Sequence, residues 1–215
     1  MDKKKLLVGI LLFGSLWGFI EVILGSLIAD AGYPAGGLMT GFFAIPILIL
    51  SRMIFKQPGM QLGMGLIAGT LRIFNPFVGC HICSAIAIMA EGALFEIIFY
   101  TISSDLREIK NITMQSSIGI ISAYILFVGG YIITQILTPI FAGAGFYLEN
   151  LLVFMPKILE AGILPALIAT VTVPVIFSVK KLDLSIKDKI YYPAGIGISI
   201  FCWVTVISSW IIFAS

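Results

Sequence analysis

The chain has 215 residues, of which 60% are apolar and 11% charged, and its formal net charge is +2. Soluble domains carry about 25% charged residues, so a water-soluble fold of this length has too little interior to hide so much apolar surface. The basic residues form no block interleaved with aromatics, which argues against a nucleic-acid partner and leaves membrane lipid as the expected surroundings.

Seven apolar segments follow one another, at about 6–29, 34–54, 60–74, 82–102, 114–141, 151–179 and 194–213. A spanning helix needs about 20 apolar residues. The segments are continuously apolar and lack the alternation of a lipid-facing strand, so the expected fold is all-α. It is a polytopic transmembrane helical bundle of about seven spans, with residues 1–215 as a single integral membrane domain. The first run is longer than the apolar core of a signal peptide, which is about 7–15 residues, and no convincing cleavage site follows it. It is expected to be retained as the first span.

The positive charges alternate along this path. Lys3, Lys4 and Lys5, then Arg52 and Lys56, then Arg107 and Lys110, then Lys180, Lys181, Lys187 and Lys189 occupy the N-terminus and every second loop. The intervening loops carry only Arg72 and Lys157, both at segment edges. Basic loops stay cytoplasmic during insertion, so the N-terminus is expected inside the cell membrane and Ser215 outside. The outward turns are short and marked by Gly and Pro, at 30–34, 75–81 and 143–150.

Two segments are irregular. The third is short and Gly-rich, with Gly59, Gly63, Gly65 and Gly69, and suits close helix packing before a polar loop at membrane depth. The sixth is too long for one span and contains Pro156, Pro165 and Pro174. Residues 147–158 could lie along the outer interface, leaving 159–179 as the span.

Ionisable residues in hydrocarbon cost at least about 2.5 kcal/mol, so they normally face the bundle interior. In the first span Gly14, Gly18, Glu21 and Gly25 share one helical face, with Trp17 close by. That face offers either a ligand carboxylate or a packing hydrogen bond. In the fourth span Glu91 lies about 15 Å below the turn at His81, and Glu96 points about 140° away from it. One acid is therefore expected at a ligand pocket and the other at a helix neighbour or a partner protein. Arg72, followed by Asn75, could clamp an anionic group or pair with Glu21, or could snorkel to the interface. Lys157 and Glu160 are three apart and could pair, although snorkelling of Lys157 to the interface is the favoured reading.

The turn Gly79-Cys80-His81-Ile82-Cys83 contains the only His. Three cysteines are too few for a disulfide framework. The turn fits a redox-active thiol pair at a helix N-terminus, a soft-metal site of Cys80, His81 and Cys83, a lining for an organic ligand, or inert thiols in a packed loop. Cys202 is alone in the last span. Phosphate-loop, zinc-protease and serine-hydrolase signatures are absent, and no inverted repeat suggests a self-sufficient transporter. The chain is therefore expected not to be an enzyme.

The stretch Gly14-Ser-Leu-Trp-Gly-Phe-Ile-Glu21-Val-Ile-Leu-Gly25 is followed by a Gly/Pro turn, then a Gly-rich helix leading to Arg72, an Asn-Pro loop and Ala-Ile-Met-Ala-Glu91-Gly. Over roughly residues 6–179 this pattern resembles the substrate-binding (S) components of energy-coupling factor (ECF) transporters. The resemblance implies a compact bundle that binds a vitamin, precursor or metal ion near its outer face. It also implies a transmembrane coupling protein and ATPase subunits as partners, with small residues of the first helix, here Gly14 and Gly18, at the coupling surface. The seventh span departs from the six helices usual in that family.

The leading expectation is thus a substrate-binding subunit for small-molecule uptake. Its expected substrate-binding set is Trp17, Glu21, Arg72, Asn75, His81 and Glu91. No cofactor is expected beyond a metal ion or vitamin bound as ligand. The alternatives are a membrane thiol oxidoreductase using Cys80 and Cys83, or a structural membrane subunit whose acids serve packing.

Overall fold

The computed structural model describes residues 3–77, 80–101, 106–141, 148–179 and 188–214. Among these are nine α-helices and no strand. They are α1 (Lys3–Asp30), α2 (Ala35–Met39), α3 (Ile45–Phe55), α4 (Met60–Ile73), α5 (His81–Thr101), α6 (Ile112–Phe141), α7 (Leu148–Ala161), α8 (Ile163–Val179) and α9 (Asp188–Ala214). A π-helical turn at Thr40–Ala44 continues α2 into α3, and α7 meets α8 at Gly162. The nine helices therefore make seven rods. Six are long and apolar enough to cross a membrane. The seventh, α4, has 14 residues, about 21 Å at 1.5 Å per residue. The all-α multi-spanning architecture is the one expected from the sequence. Lys180, Lys181, Lys187, Gly143 and Ser215, used in the topology and turn expectations, lie outside the described residues.

Contacts between helices give each rod a direction. In α1 and α4, Gly14 faces Met64 and Ile67 while Gly25 faces Arg72, so the two run parallel. Helix α5 runs against α4: Glu96 meets the start of α4 and Ser84 meets Arg72 near its end. Helix α6 runs against α5, with Thr134 near Cys83 and Gly129 near Leu94. Helix α8 runs against α6 in turn, Ser116 donating to Thr170 O at 3.0 Å and Gly162 lying against Val128 and Tyr124. Direction alternates through all seven rods, so the short α4 counts as a full reversal of the chain.

The rods α1, α4, α5, α6 and α8 form an arc, and the α2–α3 rod packs against most of them from within. It is the most buried of the long segments. Trp17, Leu48, Ile49, Met60, Met64 and Phe95 are fully enclosed there, and Phe95 stacks on Phe99 with ring centroids 4.3 Å apart. Thr172 Oγ1 donates to Gly41 O at 2.9 Å, tying the π-helical turn to α8.

The start of α4 is capped from another helix. The Glu96 oxygens accept from Gly59 N at 2.8 Å, Gln61 N at 3.0 Å and Leu62 N at 3.4 Å. These amides are among the donors a helix N-terminus leaves open, and a carboxylate there also meets the positive end of the helix dipole. Glu96 is thus the acid that serves a helix neighbour.

Helix α9 attaches along α1 and runs parallel to it. Tyr191 Oη donates to Lys5 O at 3.0 Å, and Trp203 Nε1 to Ser15 Oγ at 3.1 Å. Most of its remaining surface is exposed and apolar, as a lipid-facing helix requires.

Two expectations and one alternative reading need correction. Helix α7 runs to Ala161, so the break in the sixth segment falls at Gly162 and not near residue 158. Lys157 and Glu160 are both exposed, with no ion pair between them among the described residues. Gly14 and Gly18 do not form a free coupling surface, because Met64, Ile67, Ala68 and Leu71 of α4 cover them.

Helices α4 and α5 approach each other closely. A Cβ on Gly92 would come within 2.7 Å of Gln61 O and 2.8 Å of Gly65 Cα, backbone atoms that cannot move aside. Gly92→Ala is expected to cost about 1–3 kcal/mol, seen as a lowered melting midpoint of the detergent-purified protein. Gly197→Ala, whose methyl meets nothing within 4 Å, should change stability by no more than about 0.5 kcal/mol.

Candidate functional site

A cavity of about 720 Å³ occupies the end of the bundle where α1, α4 and α6 finish and α2 and α5 begin. That size falls within the range of about 300–1,000 Å³ typical of small-molecule sites. The wall is mostly apolar, with Met39, Ile88, Phe127 and Tyr131 among its residues. Glu21, Arg72 and Glu91 provide its charge.

Glu21 is delivered by the small face of α1. It is only 8% exposed, and its Oε1 accepts from Trp17 Nε1 at 3.3 Å, one helical turn earlier. Arg72 is 6% exposed. Its Nη1 donates to the backbone carbonyl of Glu21, and its Nε donates to Ser84 Oγ at 3.3 Å. Ser84 Oγ is placed in turn by Cys80 O at 3.0 Å. Arg72 therefore does not snorkel. It turns into the bundle and joins α1, α4 and α5. The space beside Gly25 is where guanidinium and carboxylate converge, since a methyl there would lie 3.6 Å from both Arg72 Nη1 and Glu21 Oε2.

Glu91 enters from α5 and is 6% exposed. Its Oε1 accepts from Thr40 Oγ1 at 2.8 Å. Thr40 opens the π-helical turn, and such turns inside α-helices often occur at functional sites. Glu21 and Glu91 thus reach one cavity from different helices.

Cys80 and Cys83 form a disulfide, with Cα atoms 5.4 Å apart, on the cavity wall. This corrects the soft-metal reading of Cys80, His81 and Cys83. Metal ligation needs thiolates, and two sulfurs bonded to each other are not thiolates. No group of three or more His, Cys, Asp or Glu among the described residues could hold a metal ion. Cys202 is a buried free thiol elsewhere.

The structure separates the remaining expected site residues. Trp17 is fully buried in the core and touches the site only through Glu21. Asn75 is fully buried outside the cavity lining. It exchanges hydrogen bonds with Ser26, with Nδ2 donating to Oγ at 3.1 Å, and its Oδ1 accepts from Phe77 N at 2.9 Å. It pins the loop after α4 to α1. His81 also lies outside the lining, and its buried Nδ1 has no hydrogen-bond partner among the described residues.

Sequence reasoning missed Thr40, Ser84 and the polar end of α6, where Thr134, Gln135 and Thr138 line the cavity. The signal was available for α6: three polar side chains within five residues of an apolar helix. Thr40 and Ser84 had none, because a lone hydroxyl in a spanning helix usually bonds back to its own turn. No known protein family, no curated protein and no solved structure matches this chain.

Asn75→Ala is expected to destabilise the protein by about 1–3 kcal/mol, because it leaves Ser26 and Phe77 N without their partner. The loss is read as a lowered melting midpoint of the detergent-purified protein. Under denaturing conditions without reductant, a maleimide-polyethylene glycol reagent should add one label, at Cys202. After reduction it should add three, one for each cysteine in the chain.

Proposed function

We propose that this protein is a membrane-embedded substrate-binding subunit of a small-molecule uptake system, energised by separate ATPase subunits through a transmembrane coupling protein. The observation that carries this reading is the cavity of about 720 Å³ on which Glu21, Arg72 and Glu91 converge from three helices. Burying three ionisable groups is costly without a purpose, and an apolar chamber with a few polar groups is the usual form of a ligand site. The charge alternation supports an outer-face position for this end. A disulfide at the same end agrees with that assignment, because disulfides persist in oxidising compartments. The sequence has no nucleotide-binding loop of its own, so energy would come from partners. With Gly14 and Gly18 covered by α4, a coupling protein would dock on another face.

The same disulfide supports a second reading, a membrane thiol oxidoreductase. Acid trapping of thiols in growing cells separates the two. A pair that never cycles between reduced and oxidised forms eliminates the redox role.

The binding reading is tested by purifying the protein with its native ligands retained, followed by mass spectrometry and metal analysis. Wild type is expected to carry a bound small molecule that a Glu21→Gln/Glu91→Gln variant loses by at least about tenfold. A wild type carrying no ligand, and with a melting midpoint unchanged by any candidate vitamin or metal, would count against it.

A further inference from the structure

Counted in their ionised forms, the side chains on the cavity wall do not balance in charge. Among the described residues, the charged side chains there are two carboxylates, Glu21 and Glu91, and one guanidinium, Arg72. The connections 78–79 and 142–147, which join α4 to α5 and α6 to α7, contain no acidic, basic or His residue. With both acids ionised the chamber holds one negative charge in excess. In a low-dielectric interior an unpaired charge is expensive.

Geometry shows which acid is left over. Glu21 shares its corner with Arg72, both 3.6 Å from the point where a Gly25 methyl would sit. Glu91 stands on another helix, and its partner is the neutral Thr40 hydroxyl at 2.8 Å. Its side chain packs on Gly130 of α6. Phe127 lies three residues before that glycine and Tyr131 directly after it, and both line the cavity with ring centroids 6.1 Å apart. An aromatic face attracts a cation, more strongly where water is excluded.

We propose that the cavity binds an organic monocation with an apolar body, its charged nitrogen held by Glu91 and its body against Phe127 and Tyr131. This specifies the ligand class for the binding role proposed above and rests on that role. A ligand of this kind neutralises the excess charge. A dianion would add to it, and a bare metal ion would leave the apolar wall unfilled.

The test uses three probes sharing one body: 4-phenylbutylamine (cationic), 4-phenylbutanol (neutral) and 4-phenylbutyrate (anionic). Binding is measured by calorimetry to the full chain in phosphatidylcholine nanodiscs, with empty discs subtracted. The amine is expected to bind at least about tenfold more tightly than the alcohol, and the butyrate most weakly. Glu91→Gln should bring amine and alcohol within about twofold of each other. Gly25→Ala, whose methyl makes ordinary contacts in the charged corner, should weaken all three by at least about threefold and so place them in this cavity. Butyrate binding as tightly as the amine overturns the cation assignment while leaving a binding role intact. An amine preference that survives Glu91→Gln overturns the role of Glu91. Absence of heat from all three probes, with no co-purified ligand, overturns the binding role itself. If Glu91→Gln does not purify, Thr40→Val decides: a fallen amine-to-alcohol ratio supports the proposal, and an unchanged ratio overturns it.

Discussion

Arg72 is the group on which the geometry of the cavity depends. A guanidinium buried in a membrane bundle must find acceptors, and it finds them on two neighbouring helices: the Glu21 carbonyl of α1 and the Ser84 hydroxyl of α5. Either contact would be lost if α4 shifted by one turn, about 5.4 Å. The register of three helices is therefore fixed at one point. Below it, Glu96 fixes the other end of α4 by capping its first amides. The shortest rod is held at both ends by ionisable side chains, and apolar packing along its length completes the constraint.

Much of this was legible in the sequence, for definite reasons. Lipid demands long apolar helices, so the spans could be read from continuous runs, and their ends agree within a few residues for most rods. The five-residue spacing of Glu91 and Glu96 required them to face apart, and they do, one into the cavity and one onto α4. The rarity of acids in hydrocarbon singled out Glu21 and Glu91. For Arg72 two outcomes stood equal, and only packing decides between an interface position and an inward turn.

What was illegible depended on three-dimensional coincidence. Asn75 reads as a site residue because it follows Arg72, yet the chain turns it toward Ser26. Cys80-His81-Ile82-Cys83 has the spacing of a ligand pair, but one helical turn also brings the two sulfurs into bonding range. Gly14 and Gly18 read as a surface for a partner protein, and that partner turns out to be α4 of the same chain. In each case the residue type was informative and the neighbour was not encoded locally.

The parallel pairing of α9 with α1 bears on biogenesis. Helix α1 is made well before α9 and must wait for it before Ser15 meets Trp203 and the Lys5 carbonyl meets Tyr191. Contacts this distant in sequence form slowly because a long intervening loop must close. Until α9 is made, one flank of α1 stays open to lipid or to an insertion chaperone, so a ribosome stalled before residue 188 would leave the arc built and its outermost stave missing.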